Sequence, residues 1–488
     1  MQDMLLVLNF DSRYASALAM KLRAERIDCR ILPGDTPVET VMAQGAMGLV
    51  LAGGVSGELP AALDGRLLSG GIPVLGMGDA ALAQVQLLGG SLEEAQPVRE
   101  VATVTFLPSP VTEGLGESER YLNTLRPMLL SEDMQPLAQA EGAVIGFAHG
   151  QLPLYGFAFQ IEANDPDGMN ILLHFAQEVC GCTAWLTDNA FISAARSEIA
   201  RVVGDGKALC VLTGGLDSGV SALLAHRALG DRLHGLFIDT GLLRENEKDD
   251  FLFYYRDTLG IDIHVAEAQE RFCQALEGMT DPQEKTEAIT RLYRQVAEEA
   301  AADIPHDMVI LGTSANDVLR TGDTCVVSPI STQKPVIEPL RELFKEEIRR
   351  IGEALGMPPD VYLAQPFPGT GLALRVMGEA TRRRLAVLRK ADAMFREEVR
   401  EAGLHKKLWK YFAVLYHLNY EKGEGELAIA LRAVTISNVA GEVRAMPARL
   451  PYDLLEHYTA RVMQAFPEVR RVVNDITPGS SYSEIEWR

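Results

Sequence analysis

The chain has 488 residues, 47% of them hydrophobic and 23% charged, which is typical of a folded chain with roughly two to four domains. Its net charge of -21 repels the phosphate backbones of nucleic acids, so no nucleic-acid partner is expected. No apolar run is long enough to cross a membrane, and the six scattered cysteines form neither a disulfide framework nor a paired zinc motif, so we expect a cytoplasmic protein without a membrane partner.

The first predicted domain, residues 1–183, alternates apolar strands with helical segments. Apolar runs predict strands at residues 4–8 and 47–52, and a helix at residues 15–25. This alternation predicts an α/β domain with a doubly wound, mostly parallel sheet covered by helices. A PVLG strand then turns tightly into a helix at residues 81–88, and such a turn is where α/β enzymes place a nucleophile.

This first domain resembles the class I glutamine amidotransferases, without their catalytic pair. Their PVLGxCxG run carries the nucleophilic cysteine, and Gly78 stands at that position in the PVLGMGDA run here. Their base histidine falls on Gln160 in a GFAFQIE run, where only the orienting glutamate is kept, as Glu162. Since glutamine hydrolysis needs a thiolate and an imidazole, we expect a degenerate glutaminase. Rescue by Asp79 or Cys182 is the alternative.

The second predicted domain, residues 184–360, is organised around a glycine loop between a strand and a helix. An apolar strand at residues 208–212 leads through the run LTGGLDSG into a helix at residues 220–229. Glycines let a ligand approach the backbone, and the helix directs N–H groups and the positive end of its dipole to the same point. We therefore predict an anion site. It is not the P-loop of kinases, because no lysine follows the glycines.

The loop resembles the SGGxDS pyrophosphate-binding loop of the N-type ATP pyrophosphatases, which cleave ATP to AMP and pyrophosphate. The resemblance implies ATP as the ligand, with Asp217 and Ser218 as catalytic residues and Asp217 as the Mg²⁺ ligand. Two further predicted strands, at residues 233–238 and 308–311, end at the same edge of the sheet, where ligands of parallel sheets bind. The predicted nucleotide contacts are Thr213, Gly214, Gly215, Leu216, Asp217, Ser218, Asp239, Thr240, Gly312 and Thr313.

Motifs in the remaining chain resemble the GMP synthetase family almost from end to end. Residues 338–345 read EPLRELFK, and residues 365–376 read QPFPGTGLALRV, close to that family's HPFPGPGLAIRV. The resemblance implies that residues 361–488 form a smaller α+β dimerisation domain and that the protein is a homodimer. It also implies a ligase that adenylates xanthosine monophosphate (XMP) with ATP, after which ammonia displaces AMP and GMP is formed.

The segments that would bind XMP depart from the family pattern. The family's KSHHNVGG lid is replaced by TCVVSPIS, and the glutamate of its PDVIES run falls on Arg320. Fewer charge-assisted contacts predict weak XMP binding, with Arg320, Lys334 and Arg375 as the candidate substrate contacts. Free ammonia is expected as the nitrogen source. Two alternatives stay open: a ligase with the same ATP chemistry and another acceptor, and a non-catalytic, nucleotide-binding regulatory paralogue.

Overall fold

A computed structural model describes two compact units, Met1–Thr187 and Asp188–Arg488. The residues described are 4–161, 165–183, 187–321, 329–365, 367, 369–417, 426–439, 442–477 and 479–480. Glu162 and the segment TCVVS of the lid lie outside these residues.

The first unit is built on one large mixed sheet. Its strands are β1 (Leu5–Asn9), β2 (Cys29–Pro33), β3 (Gly48–Ala52), β4 (Val74–Met77), β5 (Ser91–Leu92), β6 (Gln96–Phe106), β7 (Glu117–Leu125), β8 (Met128–Leu129), β9 (Met134–Ala140), β10 (Ala143–His149) and β11 (Leu154–Phe157). Its α-helices are α1 (Ser12–Ala24), α2 (Val38–Ala43), α3 (Asp79–Leu87) and α4 (Pro166–His174). Among the described residues the sheet order is β2-β1-β3-β4-β11-β10-β9-β6-β7.

The predicted βαβ alternation forms the parallel half of this sheet. β1 pairs in parallel with β2 and β3, and β4 pairs in parallel with β3 and β11. Leu5 to Leu8 are completely buried, because helices cover both faces of parallel strands. The other half, β6, β7, β9 and β10, is antiparallel and was not predicted from the sequence. β6 alternates between buried and more exposed residues from 101 to 106, and β9 and β10 are each only partly buried. Such strands give a weaker hydrophobic signal than a fully buried strand.

The second unit contains two sheets and most of the helices. Its strands are β12 (Ala208–Leu212), β13 (Leu233–Asp239), β14 (Asp262–Glu267), β15 (Met308–Ile310), β16 (Val336–Ile337), β17 (Lys410–His417), β18 (Leu427–Val439), β19 (Glu442–Pro447), β20 (Val469–Asp475) and β21 (Gly479–Ser480). Its α-helices are α5 (Asp188–Val203), α6 (Leu216–Leu229), α7 (Glu247–Leu252), α8 (Gln269–Ala275), α9 (Pro282–Ala302), α10 (Ala315–Thr321), α11 (Lys345–Ala354), α12 (Pro359–Tyr362), α13 (Arg382–Glu401) and α14 (Tyr452–Ala465). No helix within the described ranges is long and apolar enough to span a membrane.

The sheet that carries the glycine loop is parallel throughout its described strands. Its order is β14-β13-β12-β15-β16, and Ala208 at the start of β12 pairs with Leu233 on one side and Met308 on the other. The ends of β12, β13 and β15 therefore lie along one edge, here called the carboxyl edge, and their starts lie along the opposite, amino edge. The three strand ends that the sequence predicts to converge do lie at one edge.

The C-terminal part of the second unit is an α+β layer. β17, β18, β19 and β21 pair antiparallel in that order, and β20 pairs in parallel with β18. Helices α13 and α14 pack on this sheet and on each other. One apolar cluster continues from Leu209 in β12 through Ile289 in α9 and Leu388 in α13 to Leu431 in β18. The parallel sheet of β12 and the C-terminal sheet of β18 thus share one core. The domain boundaries at residues 183 and 360 stay a prediction.

Candidate functional site

The glycine loop leaves backbone donors available to a ligand. β12 ends at Leu212, and α6 begins at Leu216 with Gly215 as its N-cap. Gly214 has a φ of 78°, a conformation that side chains disfavour. Within the described chain, the N–H groups of Gly214 and Gly215 take part in no hydrogen bond, and both residues are exposed. Unpaired N–H groups at a helix N-terminus form a site for an anion such as a phosphate.

Hydroxyl groups fix the shape of this loop from within. Ser218 Oγ accepts from the Thr213 N–H at 3.2 Å, donates to the Gly215 carbonyl at 3.1 Å, and lies 3.1 Å from Thr213 Oγ1. Ser218 is 5% exposed, whereas Thr213 is at the surface. Ser218 thus holds the loop in its anion-binding form, and Thr213 is the hydroxyl nearer to a ligand.

Asp217 lies in the first turn of α6. The helix begins at Leu216, four residues earlier than the sequence predicts. The side chain of Asp217 is 13% exposed and forms an ion pair with Lys345 Nζ, at the start of α11. Burial raises the pKa of Asp217, and Lys345 opposes that rise. Its Oδ1 atom is buried and has no hydrogen-bond partner among the described residues. A carboxylate oxygen left in this state beside an anion site suits a Mg²⁺ ion.

The loop after β15 closes against the N-terminus of α6. A Cβ on Gly312 would lie 2.5 Å from the Ser218 N atom, so only glycine fits at this position. Thr313 is 5% exposed and donates its hydroxyl to Glu338 Oε1 at 2.5 Å. Gly312 and Thr313 therefore do lie beside the glycine loop, with Gly312 acting through close packing.

Asp239 and Thr240 lie at the carboxyl edge, but their side chains are engaged within the protein. Asp239 Oδ1 accepts from the Gly241 N–H at 2.9 Å, while Oδ2 lies 2.8 Å from both Gln269 Nε2 and Lys248 Nζ. Thr240 Oγ1 accepts from the Leu242 N–H at 3.2 Å. Both residues shape the turn after β13, so a direct contact with the nucleotide stays a prediction.

A cluster of guanidinium groups, the arginine cluster of Arg244, Arg375 and Arg396, lies next to that turn. Arg244 and Arg375 lie 4.0 and 5.2 Å from the ring centroid of Phe367. Burial lowers the pKa of Arg244 to about 10, and both other guanidinium groups contribute to this effect. Asp392 is the buried acid of the cluster, with Oδ1 3.5 Å from Arg375 Nη1. Three guanidinium groups face two carboxylates, those of Asp392 and of Glu247, whose Oε2 lies 3.8 Å from Arg244 Nε. The remaining positive charge favours an anionic ligand.

One of the predicted substrate contacts, Lys334, lies away from the glycine loop, and the role of Arg320 stays a prediction. Lys334 precedes β16 and therefore lies at the amino edge, where its Nζ donates to the His306 carbonyl at 2.6 Å. The structure does not bring Lys334 together with the glycine loop. Arg320 lies in α10, which follows the loop after β15, and its side chain is outside the described atoms.

The first unit keeps the backbone of a nucleophile turn without its nucleophile. Gly78 connects β4 to α3 with φ 60° and ψ -135°. A Cβ at this position would lie 2.2 Å from the Gly54 carbonyl oxygen. That carbonyl also accepts from the Asp79 N–H at 2.7 Å. In an amidotransferase the backbone N–H of the residue after the nucleophile donates a hydrogen bond to the oxyanion. Here the corresponding N–H, that of Asp79, already donates to the Gly54 carbonyl.

The other parts of the turn are also engaged internally. Gln160 Nε2 donates to the Gly53 carbonyl at 2.8 Å, and Asp79 Oδ2 accepts from the Ser56 N–H at 2.9 Å. A cavity of about 560 Å³ remains beside the turn, and its described lining contains neither cysteine nor histidine. Rescue by Asp79 or Cys182 finds no support in this geometry. Neighbouring Cys180 packs on Gly48, the first residue of β3, at the edge opposite Gly78.

Sequence reasoning did not single out Lys345 or Arg244, which the structure places beside Asp217 and in the arginine cluster. Lys345 stands in the EPLRELFK motif, and Arg244 follows the predicted strand at residues 233–238. Nothing in either segment indicates that Lys345 pairs with an aspartate 128 residues away or that Arg244 is buried beside Phe367.

Family models and known proteins were compared with the chain. Residues 194–374 match the NAD synthase model and residues 397–487 match the GMP synthase C terminal domain. The chain is 34% identical to the GMP synthase [glutamine-hydrolyzing] of Lactobacillus acidophilus over 99% of its own length and 98% of that protein. It is 34% identical to the protein of that name from Acetivibrio thermocellus, with 99% of each chain covered. An NH3-dependent NAD synthetase structure from Campylobacter jejuni aligns over 36% of this chain and 77% of that one, with 19% identity and a TM-score of 0.31.

Proposed function

The chain belongs to the GMP synthase family, and from this membership we propose that it is a ligase that activates XMP with ATP and aminates it to GMP. The observation that carries the proposal is the glycine loop, whose unpaired N–H groups lie beside the Asp217–Lys345 pair. The substrates are then small molecules: a nucleotide, ATP and an amine donor. The homodimer and the cytoplasmic location stay predictions.

The residues of the glycine loop offer the groups that would bind a nucleoside triphosphate with Mg²⁺. The N–H groups of Gly214 and Gly215 would hold phosphate oxygens, and Thr213 would add a hydroxyl. Asp217 Oδ1 would hold Mg²⁺, since the other oxygen is paired with Lys345. The ion supplies charge neutralisation for the triphosphate when it is bound.

The chemical contribution of this chain is orientation and charge placement. Lys345 favours the ionised form of the buried Asp217 carboxyl, and Ser218 fixes the conformation of the glycine loop. Bond cleavage between the α and β phosphates requires the acceptor oxygen to lie in line with the leaving pyrophosphate, which is a demand on position. No side chain here needs to gain or lose a proton during that step.

The acceptor's anionic group would bind at the arginine cluster. The buried Nε atom of Arg244 makes no hydrogen bond among the described residues and lies 3.8 Å from Glu247 Oε2. Arg244 follows the turn at the carboxyl edge. Of the three substrate contacts proposed from the sequence, Arg375 is consistent with this position and Lys334 is not carried forward. The basic run Arg382, Arg383 and Arg384 is not proposed as the anion site, because its side chains bond to Glu270, Glu468 and the Glu379 carbonyl.

Ammonia is the proposed nitrogen donor. The relatives' names specify glutamine hydrolysis, but this chain has Gly78 and Gln160 at the two positions that such hydrolysis requires. The Gly54 carbonyl occupies the space that a side chain at position 78 would need. Both observations support the proposal that no acyl intermediate forms at this turn.

The experiment is amination of XMP by the purified full chain with ATP, Mg²⁺ and either ammonium or glutamine. AMP, pyrophosphate and GMP are expected with ammonium, at a rate that rises with pH as more of the amine is unprotonated. With glutamine, neither GMP nor glutamate is expected. Asp217→Asn should abolish turnover, while Asp249→Asn, an exposed position on α7, should not.

Three outcomes would contradict parts of the proposal. Formation of ADP and orthophosphate would exclude the pyrophosphatase mechanism. Release of glutamate would restore the glutaminase. A Michaelis constant for XMP in the low micromolar range would contradict the weak binding expected from the replaced lid.

A further inference from the structure

A second group of chemically reactive side chains lies at the amino edge of the parallel sheet, opposite the glycine loop. His234 is the second residue of β13, and Asp262 and His264 are the first and third residues of β14. His234 pairs with Asp262 in the parallel register. Asp262 and His264 are two residues apart, so they project from the same face of β14. We refer to these three residues as the edge cluster.

The three side chains converge on one point. His234 Nδ1 lies 2.8 Å from Asp262 Oδ2, and His264 Nε2 lies 3.3 Å from the same oxygen. One ligand atom from each residue lies within 4.8 Å of the other two. Bonds of about 2.0–2.1 Å in a tetrahedral zinc site place ligand atoms roughly 3.3 Å apart, so small side-chain rotations bring the cluster to metal-binding geometry.

The imidazole rings of His234 and His264 make few hydrogen bonds within the described part of the chain. His234 is 8% exposed, and its Nε2 atom has no hydrogen-bond partner in the described part of the chain. The nitrogen atoms that face Asp262 Oδ2, Nδ1 of His234 and Nε2 of His264, contact only that oxygen in the described part of the chain. Each therefore keeps a lone pair that a metal ion can use once the ring is neutral. The side chains of His264 and Asp262 are 41% and 58% exposed, which leaves the cluster open to solvent for entry of an ion.

We propose that the edge cluster binds a divalent transition metal of the Zn²⁺ type. Two imidazoles and one carboxylate suit Zn²⁺ or Co²⁺, and they are poor ligands for the Mg²⁺ expected at the glycine loop. Water or an external ligand completes the coordination. β14 is an edge strand of its sheet, and the bound ion ties it to β13 through one ligand on β13 and two on β14. The role is structural, because the cluster lies at the edge away from the glycine loop.

The test uses the full chain, freed of metal with a chelator and kept in excess Mg²⁺. Titration with Co²⁺ should give the visible absorption of a low-coordinate complex at about one ion per chain, and Zn²⁺ should displace it and raise the melting temperature. His264→Ala and Asp262→Asn, both at partly exposed positions, should weaken Zn²⁺ binding more than tenfold and remove the Zn²⁺-dependent rise in melting temperature.

His457→Gln provides a matched control. His457 Nδ1 lies 2.9 Å from Glu398 Oε2, so it forms the same type of histidine–carboxylate pair without a second histidine. This variant should bind Zn²⁺ like the parent chain. The proposal is overturned if Co²⁺ and Zn²⁺ do not bind to the parent chain, or if binding survives in both edge-cluster variants. It is also overturned if Asp262→Asn lowers the melting temperature equally with and without Zn²⁺, which indicates a hydrogen-bonded cluster alone.

Discussion

At the scale of single residues, Asp217 combines burial with proximity to an anion site. Burial raises the pKa of its carboxyl, and the Lys345 ammonium acts in the opposite direction. The folded-state pKa lies above the ordinary value of 3.8, so the folded chain binds more protons than the unfolded chain just above that pH. This carboxyl therefore contributes less stability as the pH rises through that window, which is the cost of keeping a charge for Mg²⁺ in a buried position.

The first prediction concerns the pH dependence of turnover. Lys345→Met removes the cation that favours the carboxylate, so the pKa of Asp217 should rise further. The acid limb of kcat/KM for ATP should move to higher pH by roughly one unit or more. Arg349→Met is the control, because Arg349 has a weaker influence on the same carboxyl. An acid limb that does not move in Lys345→Met would mean that Asp217 is not the titrating group.

The second prediction concerns Gly78. Gly78→Cys combined with Gln160→His should not create a glutaminase, because the new Cβ meets the Gly54 carbonyl. The strained conformation alone should cost about 1–3 kcal/mol, with the steric contact in addition, and the melting temperature should fall. Gly71→Ala is the comparison, since Gly71 also has a positive φ of 79° but has no atom within 4 Å of an added Cβ. It should lower the melting temperature less. Glutamate release by the double variant would refute this account.

At the scale of elements, α9 is tied by a single buried lysine to the segment that carries Arg375. Lys285 is 1% exposed, and its Nζ donates to the carbonyls of Val376 at 2.9 Å and Ala373 at 3.4 Å, and to that of Gly378. These hydrogen bonds fix the 3-10 helix Gly371–Arg375 and the residues up to Gly378 against α9. The arginine cluster depends on that segment for its position.

The third prediction follows from this connection. Lys285→Met leaves buried carbonyls without a donor and should destabilise the second unit by about 1–3 kcal/mol or more. It should also raise KM for XMP more than KM for ATP, because it loosens the segment of Arg375 and leaves the glycine loop intact. Lys334→Met is the control, as Lys334 is exposed and donates to one carbonyl. Equal effects of the two substitutions would contradict the assignment.

At the scale of the whole molecule, the residues of the proposed chemistry all lie in the second unit. The glycine loop, Lys345 and the arginine cluster lie within Asp188–Arg488, and one apolar cluster connects the sheet of β12 to that of β18. The first unit has its own core around β1, β3 and β4.

The fourth prediction concerns residues 188–488 expressed alone. This fragment should form AMP from ATP and XMP with ammonium at a rate within about tenfold of the full chain, which corresponds to a difference of at most about 1.4 kcal/mol in activation free energy. The assay is the coupled measurement of AMP and pyrophosphate, with circular dichroism to verify folding. A folded but inactive fragment would show that the first unit contributes to the reaction.

The sequence alone determined which residue types stand at each predicted site. Gly78 and Gln160 predict the loss of glutamine hydrolysis by residue type, and the LTGGLDSG run predicts the anion loop because its glycines and the following helix are local features. Continuous apolar runs likewise predicted the buried parallel strands β1, β3, β12 and β13, since burial on both faces leaves a signal within each strand. The parallel strands β11, β14 and β16 were not predicted.

Only the tertiary structure decided which distant groups meet. It paired Asp217 with Lys345, placed Lys334 at the amino edge, and brought His234 beside Asp262 and His264. These outcomes depend on which strands are neighbours and in which register they pair, and no residue pattern within one segment contains that information. The same reason explains the Asp239 carboxylate: its place at a strand end was predictable, while its bonds to Lys248 and Gln269 were set by the packing of α7 and α8.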